Sequence, residues 1–104
     1  MKKYFPPLFF IFITFTYCSN SSIEGYITDS KNKTFLIGSN IILEEIMLGA
    51  ASDENGYYII KDIPIGKYTL KAMFIGYETL ENEIWIEGDQ KYQIDIQLTP
   101  SIMK

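Results

Sequence analysis

The stretch SDENGYYIIKDIPIGKYTL, residues 52–70, alternates turn residues with two apolar runs. A glycine takes the left-handed backbone region at no steric cost, so Gly56 predicts a tight hairpin turn before the first run. Pro64 has no N–H to donate to a sheet, so IPIG predicts a link between strands, with Gly66 opening the second strand. The stretch therefore indicates a turn, a strand, a link and a strand.

The residues before Gly56 allow a second interpretation, because carboxylate and amide oxygens are ligands for hard cations. Asp53 and Asn55 precede the glycine, but Tyr57 follows it directly. A calcium loop of the EF-hand type takes ligands from alternating positions over about twelve residues. Because the oxygen ligands stop after one turn, we predict that Asp53, Asn55 and Gly56 form a structural turn and that the chain binds no metal or cofactor.

Short strands are predicted along the rest of the chain. In YQIDIQL, residues 92–98, apolar and polar residues alternate, which is typical of a half-buried strand. Gly38 and Gly76 mark further turns. Seven strands are expected, over residues 23–29, 38–44, 48–52, 57–62, 67–75, 79–87 and 91–98. The pattern predicts an all-β fold, a seven-stranded antiparallel sandwich.

Strand parity predicts the side chains of the core, because alternate residues of a strand point to the same face. The expected core residues are Ile27, Ile41, Leu43, Leu70, Ala72, Phe74, Ile84, Ile86, Ile94, Ile96 and Leu98.

Trp85, the only tryptophan, breaks the pattern of its own strand. In ENEIWIEG, Ile84 and Ile86 take the inward positions, so Trp85 falls on an outward row that otherwise holds glutamates. An indole there leaves a large apolar surface in water unless something covers it. Two interpretations stay open: a loop or a lysine stem covers the ring, or Trp85 contacts a partner protein or a sugar.

The composition excludes several functions. The 104 residues contain no His, their nine positive charges are all Lys, and the net charge is −4. Nucleic-acid recognition relies on a basic face and commonly on Arg, so nucleic acid is not an expected partner. A Ser-His-Asp or Cys-His system has no base here, and Cys18 is the single cysteine. We therefore predict no catalytic residues.

Residues 1–22 are typical of a secretory signal peptide with a short polar linker. Lys2 and Lys3 form a positive start, and residues 8–17 form an apolar run of ten residues. A transmembrane helix needs about 20 apolar residues, so no transmembrane span is expected in the mature chain, and a buried core helix fits the positive start less well.

Cys18 stands where a lipoprotein cysteine would stand. The residues before it, Phe15 and Tyr17, match a lipobox poorly. Lipidation of Cys18 and ordinary cleavage after Cys18 or Ser21 both remain open.

Several motifs in a fixed order carry a family resemblance: IEGYITD, LIGSNIIL, LGAASDENGYYIIKDIPIGKYTL, FIGYETL and IDIQL. Together they resemble the carboxypeptidase-regulatory-like domain, over residues 23–99, with residues 100–104 as a tail. The resemblance implies a Greek-key sandwich related to transthyretin, or prealbumin, without catalytic activity. Such domains also stand at the front of TonB-dependent outer-membrane receptors, so an N-terminal fragment of an interrupted receptor is an alternative to a free-standing module.

The expected function is an exported binding or assembly module, located in the periplasm or at the outer membrane of a Gram-negative bacterium, with an envelope protein or a carbohydrate as partner. Transthyretin-like folds include a ureide hydrolase, but the resemblance places its activity on His and Arg, which this chain lacks. Carbohydrate binding is an alternative because four aromatic residues could stack on sugar rings: Tyr26, Tyr58, Tyr77 and Trp85.

Overall fold

The computed structural model describes residues 21–101, and within this range every regular element is a β-strand. The strands are β1 (Ser21–Asp29), β2 (Asn40–Leu43), β3 (Leu48–Ala51), β4 (Tyr57–Ile63), β5 (Gly66–Met73), β6 (Leu80–Ile86), β7 (Lys91–Gln93) and β8 (Ile96–Leu98). They form two four-stranded sheets. One has the order β4-β1-β7, with β8 also paired to β1, and the other has the order β3-β2-β5-β6. The all-β sandwich expected from the sequence is confirmed.

The core lies between the two sheets. Of the predicted core residues, eight are buried: Ile27, Ile41, Leu43, Leu70, Ala72, Ile86, Ile96 and Leu98. The prediction was wrong for Phe74, Ile84 and Ile94, which are only partly buried at the margin of the core. It also missed six buried residues, which are Ile23, Leu36, Tyr58, Ile60, Ile63 and Tyr68.

The C-terminal strand differs from the expected one in two ways. β7 and β8 run parallel to β1, so this sheet is mixed and not purely antiparallel. The predicted single strand over residues 91–98 is also interrupted at Ile94 and Asp95. There the N–H of Ile94 donates to the carbonyl of Glu24 at 2.9 Å, and the N–H of Tyr26 donates to the Asp95 carboxylate at 3.0 Å.

Gly25 explains why the chain can come so close to β1 at this interruption. A Cβ placed on Gly25 would lie 2.1 Å from the carbonyl oxygen of Ile94. Only a residue without a side chain leaves room for that approach. The alternation of YQIDIQL gives no sign of this break, because its cause lies in a distant glycine.

The turn over residues 52–56 joins the two sheets. β3 and β4 belong to different sheets, so the expected hairpin was wrong. The turn itself is tight: the Asp53 carboxylate accepts the N–H groups of Asn55 at 2.8 Å and Tyr57 at 3.0 Å. Gly56 has a φ of 76°, and a Cβ on it would meet the Phe35 side chain at 2.8 Å. The Asp53 side chain thus stabilises the turn by accepting two backbone N–H groups.

β1 begins two residues earlier than expected. Ser21 and Ser22, assigned above to a polar linker, are buried in β1. The Ser21 hydroxyl donates to the carbonyl of Gly88. Both serines are therefore part of the folded sandwich, and the structure gives them packing and hydrogen bonds at the edge of the core.

A buried carboxylate, that of Asp29, forms several hydrogen bonds at the C-terminal end of β1. Asp29 is 3% exposed, and its carboxylate accepts the Tyr77 hydroxyl at 2.6 Å and the N–H groups of Lys31 at 2.7 Å and Asn32 at 3.1 Å. The hydrogen bond from Tyr77 holds the pKa of Asp29 below its usual 3.8, although burial acts in the opposite direction. The charged form of Asp29 therefore stabilises the folded state.

This arrangement predicts a specific acid dependence of stability. Because the folded-state pKa is lowered, the stabilisation is complete above the unfolded-state pKa of about 4 and is lost as the pH falls through the folded-state value. Tyr77→Phe removes the strongest cause, so we expect a shallower loss of unfolding free energy between about pH 5 and pH 2. Urea denaturation at a series of pH values measures this dependence. If the unfolding free energy of Tyr77→Phe fell as steeply at low pH as that of the unsubstituted protein, the prediction would be contradicted.

Candidate functional site

An exposed cluster of aromatic side chains covers part of the outer side of the β4-β1-β7 sheet. Tyr26 on β1 and Tyr57 on β4 are Cα partners, and their ring centroids lie 5.5 Å apart. Phe35 forms an isolated bridge with Thr28, and its ring lies 5.7 Å from that of Tyr26. Tyr26 is 42% exposed and Phe35 is 55% exposed. We call Tyr26, Phe35 and Tyr57 the aromatic surface.

Polar groups adjoin the aromatic surface. The Tyr57 hydroxyl donates to the Glu24 carboxylate at 2.8 Å, and this hydrogen bond raises the pKa of Tyr57. A groove of about 430 Å³ lies beside this pair, and its lining combines one aromatic ring, an aliphatic side chain, hydroxyl groups and both signs of charge. The lining residues are Ser22, Glu24, Tyr57, Ile59, Lys61, Asp62 and Lys91. Such a lining offers hydrogen-bond donors and acceptors next to an apolar wall.

Trp85 lies outside this surface, on β6 at the edge of the other sheet. Its side chain is 59% exposed, and the ammonium of Lys67 lies 5.3 Å from the ring centroid. Lys67 also pairs with Glu83 at 3.4 Å. A lysine therefore adjoins the ring, as one of the two interpretations proposed, but most of the indole is still exposed to solvent. A partner contact at Trp85 stays a prediction.

The remaining turn residues lie in connections or at strand ends. Gly38 precedes β2 with a φ of 82°, and Gly76 lies between β5 and β6 with a φ of 89°. Pro64 lies in the link between β4 and β5, and Gly66 is the first residue of β5 with a nearly extended φ of 158°. These residues shape the chain and form no common site.

Two of the four aromatic residues considered for sugar stacking are engaged in contacts within the fold. Tyr58 is 1% exposed, and its hydroxyl donates to the carbonyl of Ile94 at 2.6 Å. Burial also raises the pKa of Tyr58. Tyr77 is half-buried, with its ring centroid 5.5 Å from that of Phe74 and its hydroxyl on Asp29. Tyr26 and Trp85 remain, but they lie on different sheets.

The sequence interpretation missed Phe35 and Tyr57. Both neighbouring positions in the pair Tyr57 and Tyr58 are aromatic, so alternation cannot tell which one faces outward. Phe35 precedes β2 in a segment with no strand pattern, and only the folded chain places it beside Tyr26.

Between Ser21 and Ser101, no three His, Cys, Asp or Glu side chains are grouped so that they could hold a metal ion. The same part of the chain has no helix that is long and apolar enough to cross a membrane. Cys18 lies outside the described residues, as do the residues before it that the sequence predicts to be a signal peptide.

Comparison with known families defines the class of protein. Residues 23–104 match the CarboxypepD_reg-like domain family, and the chain belongs to this family. The resemblance seen in the sequence motifs is thereby confirmed. No curated protein matches the sequence.

Solved structures with the same fold come from several bacterial proteins. A type II cohesin–X-dockerin complex of Acetivibrio cellulolyticus is 24% identical with a TM-score of 0.59, covering 75% of this chain and 56% of that one. The major pilin subunit of Bacillus cereus is 21% identical with a TM-score of 0.61, covering 77% and 30%. A candidate carbohydrate-binding protein of Bacteroides uniformis is 12% identical with a TM-score of 0.60, covering 79% and 42%. The present chain thus matches about half or less of each of these longer chains.

Proposed function

We propose that this protein is an exported, non-catalytic binding or assembly module of the bacterial cell envelope and that the aromatic surface is its contact site. The observation that carries the proposal is the grouping of Tyr26, Phe35 and Tyr57 on one outer face, where Tyr26 and Phe35 are exposed to solvent. Clustered aromatic rings supply much of the binding energy of protein interfaces. The similarity to domains of pilins and of a cohesin–X-dockerin complex supports an assembly function.

The partner that we favour is an envelope protein of a TonB-dependent receptor system, in the periplasm or at the outer membrane. The family assignment and the apolar run at residues 8–17 support export and this setting. An interrupted receptor gene would give the same module, and in that case the partner would be the remainder of such a receptor.

A carbohydrate is the second candidate, because the groove beside Tyr57 has the lining that a neutral sugar requires. An aromatic ring can stack on the apolar face of a sugar, and Glu24, Lys61 and Lys91 can bind its hydroxyl groups. The groove carries two lysines and two acidic residues, so its lining favours no charged sugar over a neutral one.

Site-specific crosslinking tests the contact site in the living cell. A photoreactive phenylalanine analogue in place of Phe35 is expected to crosslink an envelope protein, and mass spectrometry identifies that protein. The same analogue in place of Met47, which is 76% exposed in the β2–β3 turn, is the matched control. A glycan array probed with the purified protein and with Tyr26→Ser tests the second candidate.

The outcomes distinguish the candidates. Crosslinks from position 35 and none from position 47 support a protein partner, whereas glycan binding lost in Tyr26→Ser supports a sugar. Absence of both crosslinks and glycan binding, with the variants still folded, would overturn the aromatic surface as the contact site.

A further inference from the structure

The β3-β2-β5-β6 sheet ends at a strand, β6, whose outer side is open. β6 pairs with β5 in antiparallel register along its whole length, and no strand of the described chain pairs with its other side. An open edge of this kind presents backbone N–H and C=O groups to which another extended segment can hydrogen-bond. The open side of β6 is therefore a candidate contact surface.

A hydrogen bond between β2 and β5 shows which backbone groups of β6 face the open side. The carbonyl of Thr69 on β5 accepts the N–H of Glu44 at 3.1 Å, so the backbone groups of Thr69 point toward β2. Glu83 is the Cα partner of Thr69 on β6, and two such partners in an antiparallel pair point either toward each other or apart. The N–H and C=O of Glu83, and of the alternate residues Glu81 and Trp85, therefore point away from β5.

Apart from its charged outer row, β6 lacks the features that usually protect a sheet edge. It contains no Gly or Pro, and its register with β5 has no bulge. β4, an edge strand of the other sheet, has a register shift against β1, and its Asp62 has a φ of 57°. β3, at the other edge of the same sheet, is four residues long and contains Gly49. β6 is thus the longest regular edge of the described chain.

The outer row of this edge carries an excess of negative charge. The Lys67 ammonium lies 3.4 Å from the Glu83 carboxylate, and the Lys71 ammonium lies 3.8 Å from that of Glu81. Lys71 also pairs with Glu44 at 3.2 Å, so two lysines on the β5 side face three carboxylates. A second copy of β6 would bring two rows of glutamates together, which is unfavourable, whereas Lys or Arg side chains of an added strand would pair with them.

The core side of the same edge is only partly covered. Leu80 and Ile84 point toward the core but are partly buried, and Asn82 between them is exposed. Ile86, at the end of the strand, is buried. Because β6 is the last strand of its sheet, apolar side chains of an added strand would cover more of Ile84 and Leu80.

We propose that the open side of β6 binds an extended segment of a partner protein by strand addition. The segment carries Lys or Arg beside Glu81 and Glu83, and apolar residues at the alternate positions, which face the core side. Its backbone hydrogen bonds supply affinity, and its two rows of side chains supply specificity. The site lies on the other sheet from the aromatic surface and does not depend on the contact proposed there.

Trp85 reports the binding directly, because it is the only tryptophan and lies on the outer row of β6. The purified protein is titrated at low ionic strength with a short peptide of alternating Lys and Val, and with a matched peptide of alternating Glu and Val. The Lys peptide is expected to change the emission of Trp85 and to bind about tenfold more tightly, because two cross-strand pairs differ between opposite and like charge. The double variant Glu81→Lys, Glu83→Lys is expected to reverse this order.

Amide hydrogen exchange separates strand addition from loose attraction between charges. In the complex with the Lys peptide, exchange is expected to slow at the N–H groups of Glu81, Glu83 and Trp85, while β3, the other edge of the sheet, keeps its rates. Glu83→Pro removes one of these N–H groups without breaking a bond to β5, so it is expected to fold and to lose peptide binding. Glu83→Gln, which loses the charge but keeps the N–H, is the matched control and is expected to bind more tightly than Glu83→Pro.

The other outcomes contradict the proposal. It would be overturned if the Lys peptide did not bind, if the two peptides bound equally, or if exchange in β6 did not slow. A folded Glu83→Pro variant that bound as tightly as Glu83→Gln would also exclude strand addition. Self-association of the protein that Glu83→Pro abolished would assign the edge to a second copy of this chain instead. None of these results affects the crosslinking test of the aromatic surface.

Discussion

Gly25→Ala is expected to lower the free energy of unfolding by about 3 kcal/mol, which for a domain of this size corresponds to a fall of about 12–24 °C in Tm. The added Cβ would lie 2.1 Å from the carbonyl oxygen of Ile94 and 2.7 Å from its carbonyl carbon. These are backbone atoms in a segment hydrogen-bonded to β1, so they cannot rotate away as a flexible side chain could. Urea denaturation of both proteins measures the difference.

Gly88→Ala is the matched control, because a Cβ at Gly88 would have no atom within 4 Å. Its stability is expected to stay within about 0.5 kcal/mol of the unsubstituted protein. A similar loss in both variants would show that the contact with Ile94 is not its cause, because the lower unfolded-state entropy of alanine by itself favours folding. A loss below about 0.5 kcal/mol in Gly25→Ala would contradict the close approach of Ile94 to β1.

Ile96→Ala is expected to cost about 2–5 kcal/mol, a large fraction of the stability of a small domain. Ile96 is 2% exposed on β8, and its Cα partner on β1 is Ile27, which is fully buried. Removing three carbon atoms between tightly packed sheets leaves a cavity that the neighbouring strands can close only in part. Chemical denaturation with an unchanged m-value would show that only the native state has been weakened.

The adjacent exposed residue provides the comparison for Ile96. Gln97→Ala, on the opposite side of the same strand, is expected to change stability by less than about 0.5 kcal/mol. If the two variants lost similar amounts, the assignment of the inner and outer sides of β8 would be wrong.

The sequence predicted the two-sheet β fold and much of the core because alternation is a local property of each strand. Where polar residues separate apolar ones, as in Ile94 to Leu98, the inward face follows directly, although Ile94 itself lies at the margin of the core. In the run from Tyr57 to Ile60 both parities are apolar, so the inward pair Tyr58 and Ile60 was missed.

Pairing between strands could not be read from the same pattern. The parallel approach of β7 and β8 to β1 depends on contacts between segments at opposite ends of the chain, and on the space left by Gly25. The candidate sites also differ in how far local sequence predicts them. The outward position of Trp85 follows from the glutamates of its own strand, whereas the aromatic surface depends on Phe35 meeting Tyr26 across a loop.

The position of β1 between β4 and the β7–β8 segment has a consequence for the timing of folding. β1 is the first strand of the described chain, and the strands parallel to it are the last. A partly synthesised chain therefore lacks one neighbour of β1, and closing a loop of this length delays the final pairing. The topology thus postpones completion of this sheet until the last strands of the described chain have been made.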